Sequence, residues 1–558
     1  MLGEIIGRIT TKKGKRAYEE LIKATLDPLE QNKTFLLAHL RENQDTEIGK
    51  KYNFKDIDSI EKYKSTVPLL TYDDFSVYID RMKKDEFNLL SKEPPKYYCT
   101  TSGSIGNPKM IPVSGSTAEI VLENYLISRW RVAPLYKSAK IGFGRTLLVF
   151  SYVDVKTLAN GIKVGDIAGF TMEKLQGIFH HMYTTPACSV FANEFHDFHY
   201  VHARFGLIAK DITCISSAYM TESYEQINYI IKNHESLIDD IEKGIINEDA
   251  KIPGHLRDKL KKLVKPDPKR AQELREIFKS NDYKGILKKI WPKLILVNAI
   301  GSASFQPYSE RVKEFAGDGV EFFHLVYAAS EGQMGTATDV NEMKYCLLPH
   351  KMFYEFIPPE EMDNPNPKTL TIDQIEMGKE YEIVLTNVSG FYRYRINDVI
   401  KVVGFMNKTP QVVFSYRRNQ LINMAAEKTT FAHLESATKA CADELGCHIT
   451  EFAVYPDLRS STGHYTVVIE TDNPILKNEA ERVSEVMDRK LKEANPEIEF
   501  MQGEGNLGAA KVEFAQPQTF ALYRELRIHR GASINQVKPV RTIDTPEKEK
   551  FFFTLIDK

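Results

Sequence analysis

Thirteen residues beginning at Thr100, TTSGSIGNPKMIP, gather four hydroxyl side chains, two glycines and a lysine into one stretch. Glycine lets backbone N–H groups approach an anion, Thr and Ser add short donors, and Lys109 supplies a point charge at the end. Those residue types suit a phosphate cradle. The spacing is not that of Walker A, which needs G-x-x-x-x-G-K-[ST] on a strand-to-helix turn, because Gly106 is followed here by Asn107 and Pro108. The flanks YYC and MIPV read as extended, so the expectation is a hairpin-like loop between two strands. The same composition also suits a plain surface loop.

Three further stretches carry groups of the right chemistry. In YAASEG (327–332) an apolar strand ends and the carboxylate of Glu331 follows at once, at the kind of strand end where open α/β sheets bind ligands; the alternative is a solvated turn residue. In FYRYRINDVIKVVG (391–404) Asp398 follows alternating aromatic and basic residues between two expected strands. Asp accepts well from ribose hydroxyls, and Asn-Asp also makes β-turns. GASINQVKPVR, near the C-terminus, carries Lys538 in a segment too polar for a core.

The elements that must position these groups are legible in outline. Apolar residues recur at helical spacing from Arg16 to about Arg41 and predict one or two amphipathic helices. Strand-like runs follow at 145–152, 293–302, 320–330, 351–358 and 381–405, several separated by helical patterns. Interleaved strands and helices predict an α/β sheet domain, and the crowded strands after Lys351 an antiparallel or barrel-like subdomain. The charged, Pro-containing segment 233–292 reads as helices and loops covering the sheet. After residues 411–420 the pattern changes to helix, hairpin, helix and strands, which places a domain boundary near Tyr416 to Asn419.

The composition narrows the function. With 74 Lys and Arg against 76 Asp and Glu, the net charge of -2 gives no global field for nucleic acid or an acidic membrane. Six cysteines in 558 residues with no C-x-x-C argue against a disulfide framework or structural zinc and fit a reducing cytoplasm. No run approaches the ~18 apolar residues of a membrane span, and the N-terminus lacks a signal-peptide pattern. A soluble, unprocessed, monomeric cytoplasmic protein acting on small molecules is expected.

The joint order of the motifs resembles the adenylate-forming superfamily of acyl synthetases, luciferases and adenylation domains. Within it the chain is most similar to the plant-type acyl acid amido synthetases, the Gretchen Hagen family of auxin- and jasmonate-conjugating enzymes. TTSGSIGNPKMIP resembles that family's SSGTSxGxxKxIP, and VPLLTYDDFSVYIDR (67–81) resembles VPxxxYExxxPYIxR. YAASE resembles YASSE, YRYRINDVIKVVGF resembles YRYRxGDVxxVxGF, and RGASINQVKPVR resembles RGASxNQYKxPR, so the likeness spans almost the whole chain.

The resemblance implies an adenylate-forming fold: a large N-terminal α/β domain with a β-barrel-like subdomain (residues 1–416) and a small mobile α+β C-terminal domain (417–558). It implies that Thr101, Ser102, Gly103 and Ser104 contact ATP phosphates, that Glu331 reaches Mg²⁺, and that Asp398 holds the ribose hydroxyls. Gly301, Ser302, Ala303, Tyr327, Ala329 and Ser330 lie near the adenine or α-phosphate, and Arg417 is the hinge arginine. Lys428 matches a lysine near the phosphate, and Lys538 the lysine that the mobile domain swings into the site. With Glu331, these two lysines form the implied catalytic set. Two departures stand out: Asn397 replaces the usual Gly before the ribose aspartate, and Val537 replaces a Tyr before Lys538. The implied reaction is adenylation of a carboxylic acid by ATP with Mg²⁺, then transfer of the acyl group to an amino acid amine. An acyl-CoA or acyl-carrier ligase, or a nucleotide-binding regulatory protein without chemistry, are the rival readings.

Other signals are set aside. GEGNLG (503–508) satisfies G-x-G-x-x-G but lacks a βαβ context and reads as a hairpin loop. His196, His199 and His202 share a helical spacing without the acidic or Cys partners of a metal site. Cys441 and Cys447 read as packing residues. Tyr125, Trp130, Phe170 and Tyr183 are candidates for an apolar acid pocket, with ordinary core packing as the alternative.

Overall fold

The computed structural model describes residues 2–100, 109–152, 155–173, 176–194, 196–280, 282–301, 306–362, 364–418, 424, 427, 429–457, 459, 463–473, 478–503, 505–530, 537 and 539–556. The chain divides into two compact units. One is built mainly from Met1–Ile396 and Ile400–Phe414; the other takes Asn397–Val399, Ser415–Ala532 and Gln536–Lys558.

The first unit opens with two helices, Leu2–Thr25 and Pro28–Glu42. Its strands form three sheets. β1 (Tyr97–Thr100) and β2 (Met110–Val113) pair antiparallel, as expected for the loop they flank. β3 (Arg145–Val149) belongs to a second sheet, while β4 (Lys156–Thr157) and β5 (Lys163–Gly165) complete the first in the order β2-β1-β5-β4. β6 (Ile212–Tyr219), β7 (Leu296–Ile300) and β8 (Glu321–Phe323) join β3 in an all-parallel sheet of order β3-β6-β7-β8. Leu147, Ile215, Val297 and Phe322, from successive strands of this sheet, lie in one apolar cluster with residues of the helices between 198 and 316.

The third sheet holds β9 (Val326–Ala329), β10 (Gly332–Ala337), β11 (Tyr345–Leu347), β12 (Phe353–Ile357), β13 (Glu380–Thr386), β14 (Tyr394–Met406) and β15 (Thr409–Arg417). Its order is β12-β13-β14-β15-β11-β10-β9. β12 pairs antiparallel with β13, β11 with β15, and β10 with both β9 and β11. The run 320–330, expected as one strand, is two: the chain breaks between β8 and β9, where Leu325 takes a left-handed φ of 51°. β10 and β11 carry too few branched residues to stand out in the sequence.

The second unit is an α/β sandwich around β16 (Ile449–Asp457), β17 (His464–Thr471) and β18 (Lys511–Phe514). β16 and β17 are antiparallel and β18 runs parallel to β17. Leu434, Ala437 and Cys441 of the Phe431–Leu445 helix and Val483, Met487 and Leu491 of the Ala480–Ala494 helix share a core cluster with Phe452, Val454, Val467 and Ile469. Alternate strand residues Ala453 and Val468 instead join Phe520, Tyr523 and Phe552, as the two-residue period of a strand requires. The GEGNLG stretch is not a hairpin. It begins on the last residue of a helix, Pro496–Gly503, whose Ile498 is buried in the core, and leads toward β18. All six cysteines are free thiols, and among the described residues no helix is long and apolar enough to cross a membrane.

Candidate active site

Residues 101–108 lie outside the described residues, so Thr101, Ser102, Gly103 and Ser104 do too, but the frame that holds their two ends is well defined. Thr100 on β1 faces Met110 on β2. On one side, Ser330 Oγ donates to the Thr100 carbonyl at 3.2 Å, and Thr100 Oγ1 donates to the Gly165 carbonyl at 3.3 Å. On the other side, Lys109 Nζ lies 3.5 Å from Tyr394 Oη and 5.0 Å from the centre of the Tyr72 ring. The Tyr72 hydroxyl accepts from the Met110 N–H at 2.9 Å and donates to the Met110 carbonyl at 3.2 Å, clamping β2 to the Tyr72–Met82 helix. The lead-in segment 67–81 therefore positions the lysine that closes the loop.

Glu331 sits in the two-residue turn between β9 and β10, where Ala329 pairs with Gly332. It is not a solvated turn residue: it is 6% exposed, and its Oε1 accepts from Tyr394 Oη at 3.0 Å. Asn387 Nδ2 donates to the Glu331 carbonyl at 2.7 Å, and Asn387 Oδ1 accepts from the N–H groups of Ser389 and Phe391, so the 387–391 turn braces the carboxylate from behind. Tyr394 thus links Lys109 at the end of the loop to Glu331 in the turn. Tyr327, at the start of the same motif, is buried with its ring 6.2 Å from Tyr345, while Ala329 and Ser330 are half-buried at the hairpin tip.

The alternation in YRYR has a structural cause that sequence reasoning missed. Tyr392 Oη donates to the Leu90 carbonyl at 3.0 Å. Arg393 forks onto the Glu355 carboxylate at 2.8 and 2.9 Å and reaches the carbonyls of Lys64 and Val67. Arg395 forks onto Glu382 at 2.7 and 2.8 Å. Glu355 and Glu382 are both fully buried, which is tolerable only because planar bidentate guanidinium contacts neutralise them.

Asp398 lies inside β14 rather than in a turn between two strands. Asn397 before it has φ 65°, the left-handed region that Gly adopts freely and Asn tolerates best. The Gly-to-Asn departure therefore keeps the backbone shape. Asp398 is 2% exposed, and Arg417 Nε donates to its Oδ1 at 2.5 Å.

Gly301 follows β7. A side chain there would put Cβ 2.4 Å from Ser309 Oγ and 2.9 Å from the His324 ring, so only glycine fits. Ser309 Oγ also donates to the Gly301 carbonyl at 3.1 Å. Burial pushes the His324 imidazole down to about 4, so it is a neutral wall. Ser302, Ala303, Lys428 and Lys538 lie outside the described residues.

A second feature of the first unit was not foreseen. One face of the parallel sheet is apolar, but the opposite face carries Thr146, Cys214 and Leu296 in one cross-strand row and Ser216, Asn298 and Phe323 in the next. Together with Tyr125, Ser128, Arg129 and Val132, at helical spacing on Gly115–Ser138, these residues line a cavity of about 70 Å³. Ile6, Gly7 and Thr10 of the first helix and His181 to Tyr183 also line it. Of the aromatic residues considered for a pocket, Tyr125 and Tyr183 line this cavity; Phe170 instead packs on Tyr97 at 5.1 Å, and Trp130 lies beneath Lys15. The missed signal was polarity at alternate positions of buried parallel strands, which ordinarily read as continuous apolar runs.

The three spaced histidines turn away from one another. His196 Nε2 lies 2.8 Å from Ser189 Oγ, His199 Nδ1 2.9 Å from Gln226 Oε1, and His202 Nδ1 2.6 Å from Thr185 Oγ1. Among the described residues no group of three or more His, Cys, Asp or Glu side chains is arranged to hold a metal.

Known proteins resemble this chain along its length. It is 25% identical to the indole-3-acetic acid-amido synthetase GH3.3 of Arabidopsis thaliana, over 91% of this chain and 89% of the relative. It is 26% identical to the jasmonoyl-L-amino acid synthetase JAR4 of Nicotiana attenuata, over 94% and 93%. The structure of the GH3.15 acyl acid amido synthetase superposes with a TM-score of 0.84 at 22% identity, covering 97% of this chain and 96% of that one, and so shares the fold. Models of the GH3 family N-terminal, central and C-terminal domains match residues 17–321, 345–417 and 432–547. The first of these alone spans more than half of the sequence, and the chain belongs to the GH3 family.

Proposed function

We propose that the protein is an ATP-dependent acyl acid amido synthetase. A carboxylate oxygen of the acid attacks the α-phosphorus of ATP, the bond to pyrophosphate breaks, and acyl-AMP forms. The nitrogen of an amino acid then attacks the acyl carbon, loses a proton, and AMP leaves. The observation that carries this reading is the link from Lys109 through Tyr394 to the buried Glu331, at the mouth of a hydroxyl- and glycine-rich loop.

Negative charge accumulates on the phosphate oxygens during adenylation, and preorganised donors and cations are what lower that barrier. In this reading Thr101, Ser102, Gly103 and Ser104 hold the phosphates, Asp398 accepts from the ribose hydroxyls, and Lys428 and Lys538 approach the α-phosphate. Gly301, Ser302 and Ala303, with Tyr327, Ala329 and Ser330, border the nucleotide. Glu331 is a hard oxygen ligand of the kind Mg²⁺ takes alongside substrate phosphates, and it would hold that ion, which when bound neutralises phosphate charge. Its hydrogen bond from Tyr394 fits this role by fixing one carboxylate oxygen.

Residues 417–558 act in this reading as the small domain that brings Lys538 to the phosphate and then withdraws it, with Arg417 at the hinge. The acid and the amine are small molecules, and the enzyme works as a cytoplasmic monomer without nucleic acid or membrane. The balanced charge of -2 and the free cysteines support that placement.

The test is acid-dependent ATP–pyrophosphate exchange across aryl, indolyl and aliphatic acids, followed by product masses with amino acids and with coenzyme A. Exchange and an amide product are expected. A thioester would reassign the chain as an acyl-CoA ligase, and no exchange with any acid would leave a nucleotide-binding protein. Lys538→Ala should slow adenylation 10²- to 10³-fold, as expected for removing one charge-stabilising donor, ~3–4 kcal/mol.

A further inference from the structure

Positive charge is concentrated in one part of the first unit. Residues 259–293 carry twelve Lys and Arg against four Asp and Glu, in a chain whose net charge is -2, so the rest of the sequence is acidic. Local asymmetry of this kind raises the concentration of anions at a surface. Within the stretch the structure forms a groove of about 770 Å³, in the size range of small-molecule sites. Lys210, Lys269, Arg270, Lys289 and Lys293 line it, and among the described residues its carboxylates are Glu273 and Glu276.

Internal contacts leave three of these charges over. Arg270 is buried and builds the frame: its Nε donates to the Leu207 carbonyl at 2.8 Å and its Nη2 to the Ile290 carbonyl at 2.9 Å. It thereby ties together the helices Phe198–Ile208, Pro268–Phe278 and Ile286–Ile290. Glu273 accepts from Lys210 at 2.7 Å and from Arg270 at 3.2 Å, and Glu276 pairs with Lys279 at 3.4 Å. Lys269, Lys289 and Lys293 have no carboxylate within ion-pair distance among the described residues. Asp211, whose charge Lys293 also feels, is forked by Arg145 at 2.7 and 3.0 Å.

The groove lies away from the residues assigned to the nucleotide. Lys210 stands two residues before β6 and Lys293 three before β7, so it opens at the N-terminal edge of the parallel sheet. Gly301 follows the other end of β7, a strand length of ~16 Å away, at the edge where open α/β sheets take their usual ligand.

We propose that this groove is a second ligand site, which binds a polyphosphate chain, free or carried by a nucleotide. Three uncompensated ammonium groups require several negative charges within one groove. Lysine binds phosphate as a compact point charge, without the planar match that favours Arg for carboxylates. A triphosphate brings the charge in one short chain, whereas a simple carboxylate brings a single charge. No aromatic side chain lines the groove among the described residues, so charge rather than base stacking sets the affinity.

The experiment is lysine acetylation footprinting of the full-length protein, read residue by residue by peptide mass spectrometry. Its arms are tripolyphosphate, ATP, and sulfate at matched ionic strength. Tripolyphosphate should slow modification of Lys269, Lys289 and Lys293 at least threefold, the effect of a ligand at about twice its Kd. The exposed Lys13 and Lys23, on the first helix, should react unchanged. Stronger protection by ATP would assign the nucleotide as the source of the chain, and equal or weaker protection the free chain. Lys289→Glu combined with Lys293→Glu should abolish the protection of Lys269.

No protection of the three lysines, equal protection by sulfate, or a uniform slowing that includes Lys13 and Lys23 would overturn the proposal. The readout is resolved by residue, so nucleotide bound elsewhere does not imitate it, and failure of the adenylation reading leaves it standing. The wild-type footprint decides the matter even if the double variant fails to fold.

Discussion

Replacing Tyr394 with Phe isolates one hydroxyl from the chain of contacts that joins Lys109 to Glu331. The ring should stay in place, since it packs on Phe391 at 4.9 Å and Phe75 at 6.0 Å and is 1% exposed. What is lost is a 3.0 Å hydrogen bond to a carboxylate that is itself 6% exposed, together with a longer 3.5 Å contact from Lys109. A hydrogen bond to a charged group contributes about 1.5–3 kcal/mol, and water cannot readily replace it at this depth. If Glu331 must stand in one orientation for adenylation, that energy appears as a ~10- to 150-fold loss in rate. The assay is ATP–pyrophosphate exchange at saturating acid with ATP titrated, alongside the thermal midpoint of the same variant. A loss concentrated in exchange supports a positioning role for Tyr394. Exchange within threefold of wild type, or a loss fully explained by a lower thermal midpoint, would refute the reasoning.

Three other outcomes follow from the same geometry. At φ 65°, Asn397→Gly should leave urea stability within about 1 kcal/mol, whereas Asn397→Val should cost ~1–2 kcal/mol or more; equal behaviour would deny the left-handed constraint. Glu355→Gln leaves the buried Arg393 fork without its anion and should destabilise by ~3–5 kcal/mol, read by urea denaturation; a loss below about 1 kcal/mol would mean that Lys64 and Val67 carbonyls suffice.

Burial holds His39 at about 4, His202 at about 3 and His324 at about 4. Because these values lie below the ordinary 6.5, the unfolded chain takes up protons first as pH falls. Stability should therefore be level above 6.5 and decline by a few kcal/mol toward pH 5. Glu435, raised to about 7 by burial, opposes this with a gain as pH falls from 7. His202→Gln should flatten the decline, and an unchanged slope of urea midpoint against pH would reject the assignment.

Chain-local features were legible without the structure. The β1–β2 hairpin around the loop follows from YYC and MIPV, and the parallel sheet follows from runs such as KLILVNAI, because alternation and propensity act over a few residues. Features set by distant partners were not. By its own residues Glu331 read more readily as a solvated turn residue until Tyr394 and Asn387, each more than fifty positions away, were seen to bond to it. Asp398 seemed able to form a turn, and the pairing of β14 decides otherwise. GEGNLG looked like a hairpin because its own residues do not reveal that the preceding segment is helical.

The sequence by itself determined the order of the candidate groups: a hydroxyl- and glycine-rich stretch, a carboxylate after a strand, an aspartate after YRYR and a late lysine, each recognisable because a side chain's functional group is written in its residue type. The tertiary structure alone decided which of these groups are buried and what they touch. It alone set the walls of the Arg129 cavity, whose lining residues come from positions 6 to 323. The reason is physical: a side chain's chemistry travels with the chain, but its desolvation and its hydrogen-bond partners exist only once distant segments pack against it.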